Sequence, residues 1–378
     1  MSAKKILIAC GGTGGHINPA LAIAGIIKSH LPDAEFLFVG TPNGMESTLI
    51  PAAGYQMKHV QVAGFQRSLS PENIGRNIKA VGYLMTAGSR AKAIVKEFQP
   101  DLAIGTGGYA AGPVIRAAQQ LGVPTAIHEQ NAYPGVTNKL LAKKARAVMM
   151  TFEAAKEYFP AEAKTVLTGL PVRGALTRRN RDQARQLLGF HGKMTVLSFG
   201  GSQGAKCLND LMPELMKWHL DSDMEINHIH AYGKFGKETV PGALQSLGIA
   251  DDPRMRVTEY IHDMDICLAA ADLVISRAGA STLSELEAVG RASVLIPYPA
   301  AAENHQYHNA MVLGKAGAAI VIEQKDLTLD KLKDAVTELY QNPDKRNAMG
   351  ERAGALFAAD TDERIWQVLS GILNSDKE

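Results

Sequence analysis

The sequence has little of what stabilises small secreted folds. Only three cysteines occur among 378 residues, Cys10, Cys207 and Cys267, and none belongs to a Cys-x-x-Cys pair. That excludes a disulfide framework and a thiolate zinc site, and it fits a reducing compartment. Neither sign of charge is in excess: 40 Lys and Arg stand against 38 Asp and Glu, a net of +2. A dedicated nucleic-acid binder would be strongly basic, so at most a local patch could serve that role. No run of ~20 apolar residues is present, as a membrane-spanning helix would need. Lys4 and Lys5 precede an apolar run, Ile6–Cys10, but it is short and ends in glycines, without the small-residue cleavage site of a secretory signal. The expectation is a chain in solution or, at most, held to a membrane surface. With 46% hydrophobic and 21% charged residues it is neither disordered nor collagen-like. Its length predicts two or three domains, each able to bury a core.

What is present is a rhythm. Ile6–Cys10, Phe36–Val39, Leu102–Gly105, Thr125–His128 and Val148–Thr151 are short, branched, apolar runs flanked by Gly or Pro, and they predict buried strands. Helical patterns such as Ala20–His30 and Val114–Leu121 lie between them, the alternation of a parallel sheet covered on both faces. The rhythm restarts at Met194–Phe199, with a helix over Ala205–Trp218 and strands at Ile226–Tyr232, Arg256–Tyr260, Leu273–Ser276 and Ser293–Pro297. Two doubly wound α/β domains are expected, 1–170 and 171–356. They join at Gly169-Leu170-Pro171-Val172-Arg173, before a polar Arg-rich segment, Arg178–Arg185. A terminal helical segment, 357–378, is expected to pack back on the first domain.

Three glycine turns follow strands: Gly11-Gly12-Thr13-Gly14-Gly15-His16, Gly107-Gly108-Tyr109 and Gly200-Gly201-Ser202-Gln203-Gly204-Ala205. Ligands of open α/β sheets sit at the carboxyl ends of strands, and glycines there let backbone N–H groups approach phosphates. A phosphate-bearing ligand held in a cleft between the domains is therefore expected. The nicotinamide pattern fails, because Ile17 stands at the third glycine and Phe36–Val39 ends in Gly40-Thr41 without an acid. A triphosphate-binding loop at Gly200–Cys207 lacks its second glycine (Ala205) and its magnesium-holding hydroxyl (Cys207). Gly200–Gly204 also matches the GxSxG elbow of hydrolases, for which His228, His262, His305 or His308 would have to complete a triad with Ser202. Asp221-Ser222-Asp223 and Asp263-Met264-Asp265 resemble metal-carrying acidic pairs, but Asp263 also stands where it would cap a helix over Met264–Ala270. No metal site is implied. Ser276–Glu285 is a strand end, a small-residue turn and a helix start, whose N–H groups could face an anion. Glu285 there has two readings, complementing the helix dipole from the first turn or gripping ribose hydroxyls. Glu303-Asn304-His305-Gln306 follows another strand end, Pro297-Tyr298-Pro299.

Taken in order, these motifs, with His128-Glu129-Gln130-Asn131 and Pro171-Val172-Arg173, resemble the MurG family of bacterial peptidoglycan N-acetylglucosaminyltransferases. The resemblance runs from about residue 5 to 310. It implies the GT-B fold, two Rossmann-like doubly wound domains facing a cleft, the first for acceptor and membrane and the second for donor. It implies an inverting hexosyltransferase without cofactor. Such an enzyme moves GlcNAc from UDP-GlcNAc to the 4-hydroxyl of the MurNAc of undecaprenyl-linked lipid I, giving lipid II for cell-wall growth, shape and division. It implies a peripheral place on the cytoplasmic face of the inner membrane, on anionic lipid, in contact with other cell-wall synthesis proteins.

By the same resemblance, Thr13, Gly14, Gly15 and Asn131 line the site near the transferred sugar and acceptor. Arg173 pairs with the diphosphate, Ser202 donates to a phosphate and Ile261 offers backbone groups to uracil. Ala280, Ser281, Thr282, Leu283 and Ser284 carry N–H groups toward sugar and diphosphate, Glu285 holds the ribose, and Gln306 holds sugar hydroxyls. His262 stands where the family often has Asp, and His305 where a Gln can stand, which leaves the sugar contact at His305 open. Inversion needs a base for the acceptor hydroxyl. His16 is the first candidate, since histidine ordinarily titrates near ~6.5, and Glu129 is the alternative. The segment Glu72–Glu97 sets Ile74, Ile78, Val81 and Met85 at helical spacing among Arg76, Lys79, Arg90, Lys92 and Lys96. On spacing and charge alone this reads as a solvated helix packed on the sheet; the lipid acceptor that the resemblance implies needs membrane contact, and on that ground Gly64–Lys96 is expected to face the membrane.

Overall fold

The computed structural model describes residues 3–62, 86–172, 176 and 179–375. The chain divides into two compact units, 1–171 with 360–378, and 172–359.

Seven parallel strands form the sheet of the first unit among the described residues: β1 (Lys5–Cys10), β2 (Glu35–Gly40), β3 (Gln56–His59), β4 (Leu102–Gly107), β5 (Thr125–Glu129), β6 (Ala147–Met150) and β7 (Thr165–Leu167). Their order is β3-β2-β1-β4-β5-β6-β7, so the winding reverses between β1 and β4. The five apolar runs named above are its central strands. The two edge strands, Gln56–His59 and Thr165–Leu167, lacked a sequence signal. They are three or four residues long and only partly buried, so no continuous apolar run marks them. A register irregularity at Ala9/Cys10 sets Cys10 opposite Gly107, bringing the ends of β1 and β4 together.

Two cores cover this sheet. One, around Leu7, Ala103, Val114 and Ile127, also takes Ala91, Ile94 and Val95. On the other, Ile6, Ile8, Ile23 and Ile27 pack with Ile365, Leu369, Ile372 and Leu373 of the terminal helix Thr361–Ser375. His30 stacks on Trp366 with ring centroids 4.4 Å apart. Burying those four aliphatic side chains contributes roughly 1.5–3 kcal/mol each, enough to hold the last helix to a unit that ends in sequence 190 residues earlier.

The second unit repeats the plan with β8 (Met194–Phe199), β9 (Ile226–Ala231), β10 (Met255–Thr258), β11 (Leu273–Ser276), β12 (Ala292–Leu295) and β13 (Ala319–Val321). All are parallel, in the order β10-β9-β8-β11-β12-β13. The Arg-rich stretch after the join is not only linker. Arg181–Leu188 is a helix whose Asn180 side chain accepts from the N–H groups of Asp182 and Gln183 and which ends in left-handed Gly189. Its Arg181 and Arg185 pair with buried Asp272. Arg185 thus meets a carboxylate 87 residues away, a partner no local pattern reveals.

Candidate functional site

In the first unit the carboxyl ends of β1, β4 and β5 lie side by side and deliver the first two glycine turns and the His128–Asn131 segment. Gly12, Gly107 and Gly108 have φ of +91°, +109° and +84°, a region that favours glycine. A Cβ at Gly108 would collide with the Gly11 carbonyl, so the two turns interlock only as glycines. The helix after the first turn begins at Gly14, six residues before the predicted start, and runs to His30. Its N-cap, Thr13, makes no side-chain capping bond, and the first turn holds no acid, so the helix end is electrostatically open to an anion.

His16 is half-buried in that first turn. Its Nδ1 lies 3.1 Å from Gln130 Oε1, its carbonyl accepts from Thr106 Oγ1 at 2.8 Å, and Gly107 leaves the room its ring occupies. No described residue engages its Nε2. Glu129 is 1% exposed, and both carboxylate oxygens are occupied: Oε1 by the Asn131 N–H and Nδ2, Oε2 by the Gly135 N–H and Asn138 Nδ2. Glu129 thus braces the loop that carries Asn131.

One residue of this region had no sequence signal. Glu46 is fully buried and accepts from Gly12 N–H at 3.0 Å, Thr41 N–H at 2.9 Å and Thr41 Oγ1 at 2.6 Å. Desolvation pushes its carboxyl up, but these hydrogen bonds outweigh it and hold the group below the usual range. A Cβ at Gly11 would lie 2.5 Å from Glu46 Oε1, which accounts for glycine there. Cys10 beside it is no nucleophile, since burial, and then the Glu46 charge, push its thiol up to about 12.

In the second unit the predicted donor residues line up along one edge of the sheet, in strand order: Ile261 after β10, Ser202 after β8, Ala280–Glu285 after β11 and Gln306 after β12. Gly201 and Gly204 have φ of +89° and +82°, and a Cβ at Gly204 would strike the Tyr232 carbonyl at the end of β9. Ser202 is exposed, and Ile261 is buried beneath the exposed Tyr260. The helix Ala280–Val289 starts after Gly279, which offers no side-chain cap. Glu285 is its sixth residue and so lies in the second turn, with no acid in the first. That corrects the dipole-complementing reading. Gln306 Oε1 accepts from the Tyr298 N–H at 3.0 Å, and His305 Nδ1 lies 2.7 Å from the Ala302 carbonyl. Before them Glu303 and Asn304 adopt φ of 53° and 52°, consecutive left-handed residues of the kind strained sites hold at ~1–3 kcal/mol each. Arg277, unassigned from the sequence, ties β11 to the β12 end through the Ile296 and Pro297 carbonyls and stacks on Tyr298.

The rival readings meet specific obstacles. His228 and His230 hydrogen-bond Ser198, not Ser202. Among the described residues, no group of three His, Cys, Asp or Glu could hold a metal ion. Asp263 does occupy the N-cap of Met264–Ala270, but its side chain caps nothing and grips Arg256 of β10 at 2.8 and 3.0 Å. Lys206 pairs with Asp210 one turn on. Arg173 lies outside the described residues, as does 63–85 of the expected membrane face, with Ile74, Arg76, Ile78, Lys79, Val81 and Met85. Of the remainder, Lys92 and Lys96 are exposed, and Arg90 donates to the His59 carbonyl.

Comparison with known proteins adds independent findings. The glycosyltransferase family 28 N-terminal domain matches residues 6–150, and the family 28 C-terminal domain matches 195–365. A UDP-N-acetylglucosamine--N-acetylmuramyl-(pentapeptide) pyrophosphoryl-undecaprenol N-acetylglucosamine transferase from Acetivibrio thermocellus is 41% identical over 372 residues, 98% of this chain and 99% of that one. A protein of the same name from Desulfitobacterium hafniense is 44% identical over 369 residues, 96% and 98% of the two chains. The crystal structure of Acinetobacter baumannii MurG superposes with a TM-score of 0.78 at 30% identity, over 97% and 99% of the chains. S. aureus MnaA with UDP superposes at 0.68 with 14% identity, over 99% and 98%, a likeness of fold alone.

Proposed function

The chain belongs to the MurG family of family 28 glycosyltransferases, and on that premise we propose how its own residues perform the transfer. The enzyme moves GlcNAc from UDP-GlcNAc to lipid-linked MurNAc-pentapeptide, the step that makes lipid II. The second unit holds the donor. Uracil sits against the backbone at Ile261, and Glu285 takes the ribose. The diphosphate meets Ser202 and the N–H groups opening the helix at Ala280, Ser281 and Thr282, with Leu283 and Ser284 behind them. Gln306 takes sugar hydroxyls. A helix terminus supplies only ~0.3–1 kcal/mol to an exposed anion, so the larger share falls to direct hydrogen bonds from these N–H groups and to Arg173, at roughly 1.5–3 kcal/mol each.

The first unit presents the acceptor along Thr13, Gly14, Gly15 and Asn131. His16 Nε2 removes the proton of the 4-hydroxyl as that oxygen attacks the anomeric carbon. The bond to UDP breaks on the opposite face, the sugar inverts, and the diphosphate leaves carrying the charge. The observation that carries this reading is the asymmetry of the two candidate bases. His16 keeps a ring nitrogen that no described residue engages, in an open helix end, whereas both oxygens of Glu129 are spent on loop amides. The acceptor's lipid places the enzyme peripherally on the cytoplasmic face of an anionic membrane, with Lys92 and Lys96 on the side of contact.

The test is UDP release from UDP-GlcNAc with and without a lipid I analogue. Acceptor-dependent release with a β-linked disaccharide is expected. Donor binding without transfer would overturn the acceptor assignment, and no donor binding would overturn the whole reading.

A further inference from the structure

We propose that Gln130 and His128 set the tautomer of His16, placing its proton on Nδ1 and leaving Nε2 as the basic nitrogen. The proposal rests on His16 being the base. It is carried by hydrogen bonds whose polarity can be read from one fixed end to the other.

The fixed end is the Gly169 carbonyl, which can only accept. His128 Nε2 lies 3.0 Å from it, so that nitrogen carries a proton and donates. His128 is fully buried, and burial lowers its pKa to about 4, so the ring is neutral at physiological pH and its Nδ1 is an acceptor. Gln130 Nε2 lies 3.0 Å from that Nδ1 and also 3.0 Å from the His128 carbonyl. The second contact decides the amide's orientation, because a carbonyl oxygen cannot face another acceptor. The amide oxygen of Gln130 therefore points the other way, 3.1 Å from His16 Nδ1. An amide oxygen only accepts, so His16 Nδ1 must donate, and in the neutral ring Nε2 keeps the lone pair.

The surroundings hold the ring in this arrangement. Gln130 is 2% exposed and has no room to swing. Thr106 Oγ1 anchors the His16 backbone, and a Cβ at Gly107 would come within 2.7 Å of His16 Nδ1, where it would part the ring from Gln130. Free imidazole side chains favour the opposite tautomer, with the proton on Nε2, so the relay selects the minor form that the reaction needs. Gln130 and His128 are positioning residues, since neither reaches the substrate.

The experiment is the nitrogen NMR spectrum of the full-length enzyme labelled with [15N]histidine, with His16 assigned by its loss in His16→Ala. The wild type is expected to show a protonated Nδ1 and an unprotonated Nε2 at His16. Gln130→Leu removes the acceptor. Its His16 is expected to shift toward the Nε2-protonated form, with kcat lowered about 10-fold or more and KM for UDP-GlcNAc changed less than about 2-fold. Gln130→Glu, buried and protonated on the oxygen that faces His128, donates there as the amide does, keeps an acceptor beside His16 Nδ1 and is expected to keep the wild-type tautomer. A wild-type His16 protonated on Nε2 overturns the proposal, as does an unchanged tautomer in Gln130→Leu. If Gln130→Leu does not fold, the wild-type spectrum and Gln130→Glu decide it. A tautomer that flips as expected while His16→Ala turns over normally would keep the relay and sink the assignment of His16 as base.

Discussion

Both units contain a chain of hydrogen-bonded imidazoles leading into a glycine turn, and the two chains end in opposite surroundings. In the second unit the Tyr232 carbonyl accepts from Asn209 Nδ2, which turns Asn209 Oδ1 toward His230 Nε2 at 3.2 Å. Ser198 Oγ sits 2.8 Å from His230 Nδ1 and 2.8 Å from His228 Nε2, and His228 Nδ1 lies 3.3 Å from His219 Nδ1. The chain runs on to His219, whose Nε2 is buried and has no partner among the described residues. In the first unit the ring nitrogen that no described residue engages, His16 Nε2, lies at an open helix end. Similar hydrogen-bond chemistry yields a sealed structural element in one unit and, on the reading proposed above, a base in the other. The difference is where the last ring sits: His219 within a helix packed on the sheet, His16 in the first turn after a strand end.

The sharpest way to break this comparison is to remove one imidazole from each chain. His16→Ala is expected to lower turnover at least ~100-fold with little change in KM for UDP-GlcNAc or in melting temperature. His230→Ala is expected to do the reverse. It leaves a cavity and strips partners from Ser198 and Asn209, costing about 2–4 kcal/mol of stability while turnover per folded molecule stays within about 3-fold. Kinetics beside calorimetry on both variants checks the pair, and a His230→Ala enzyme that is stable but inactive would erase the distinction.

Glu46→Gln probes the brace under the open turn. Its amide would aim N–H at an existing N–H donor, at a cost of roughly 1–3 kcal/mol. A drop of about 10-fold in turnover is expected, with the donor-side KM unchanged, as steady-state kinetics would reveal.

The last contrast between the units is in pH. His128 is lowered to about 4, His230 to about 4 and His219 to about 3, with His228 well below 6.5, all by burial first. Each protonates near 6.5 when unfolded but not when folded, so stability is full above that pH and falls as pH drops below it. Glu287, raised by burial from 4.5 to about 8, works the other way, favouring the fold at low pH and losing that contribution as pH rises toward 8. Between 6.5 and 4.5 the first unit thus loses stability through one net proton and the second through two. At about 1.4 kcal/mol per pH unit per proton, the second unit should lose stability about twice as steeply as the first as pH falls below 6.5, from a maximum near 6.5. Unfolding of the two units followed by hydrogen exchange across that range checks the slopes, and equal slopes would contradict the contrast.

Much of this was legible in the chain itself. The central strands stood where apolar runs of four to six residues met glycine, and the three turns, the helix start at Ala280 and the order of motifs followed from local pattern. Those features depend on neighbours within a few residues, because burial on both faces forces continuous apolar strands and a left-handed backbone favours glycine. What only the tertiary structure decided are pairings between distant positions. Glu46 meets Gly12, Arg185 meets Asp272, and Gln130 meets His16 across 114 residues. Asp263, read as a helix cap, found Arg256 on the neighbouring strand instead. A sequence specifies which groups can donate and accept. Which of two ring nitrogens carries the proton depends on what faces it, and only the register of β1, β4 and β5 brings those partners together.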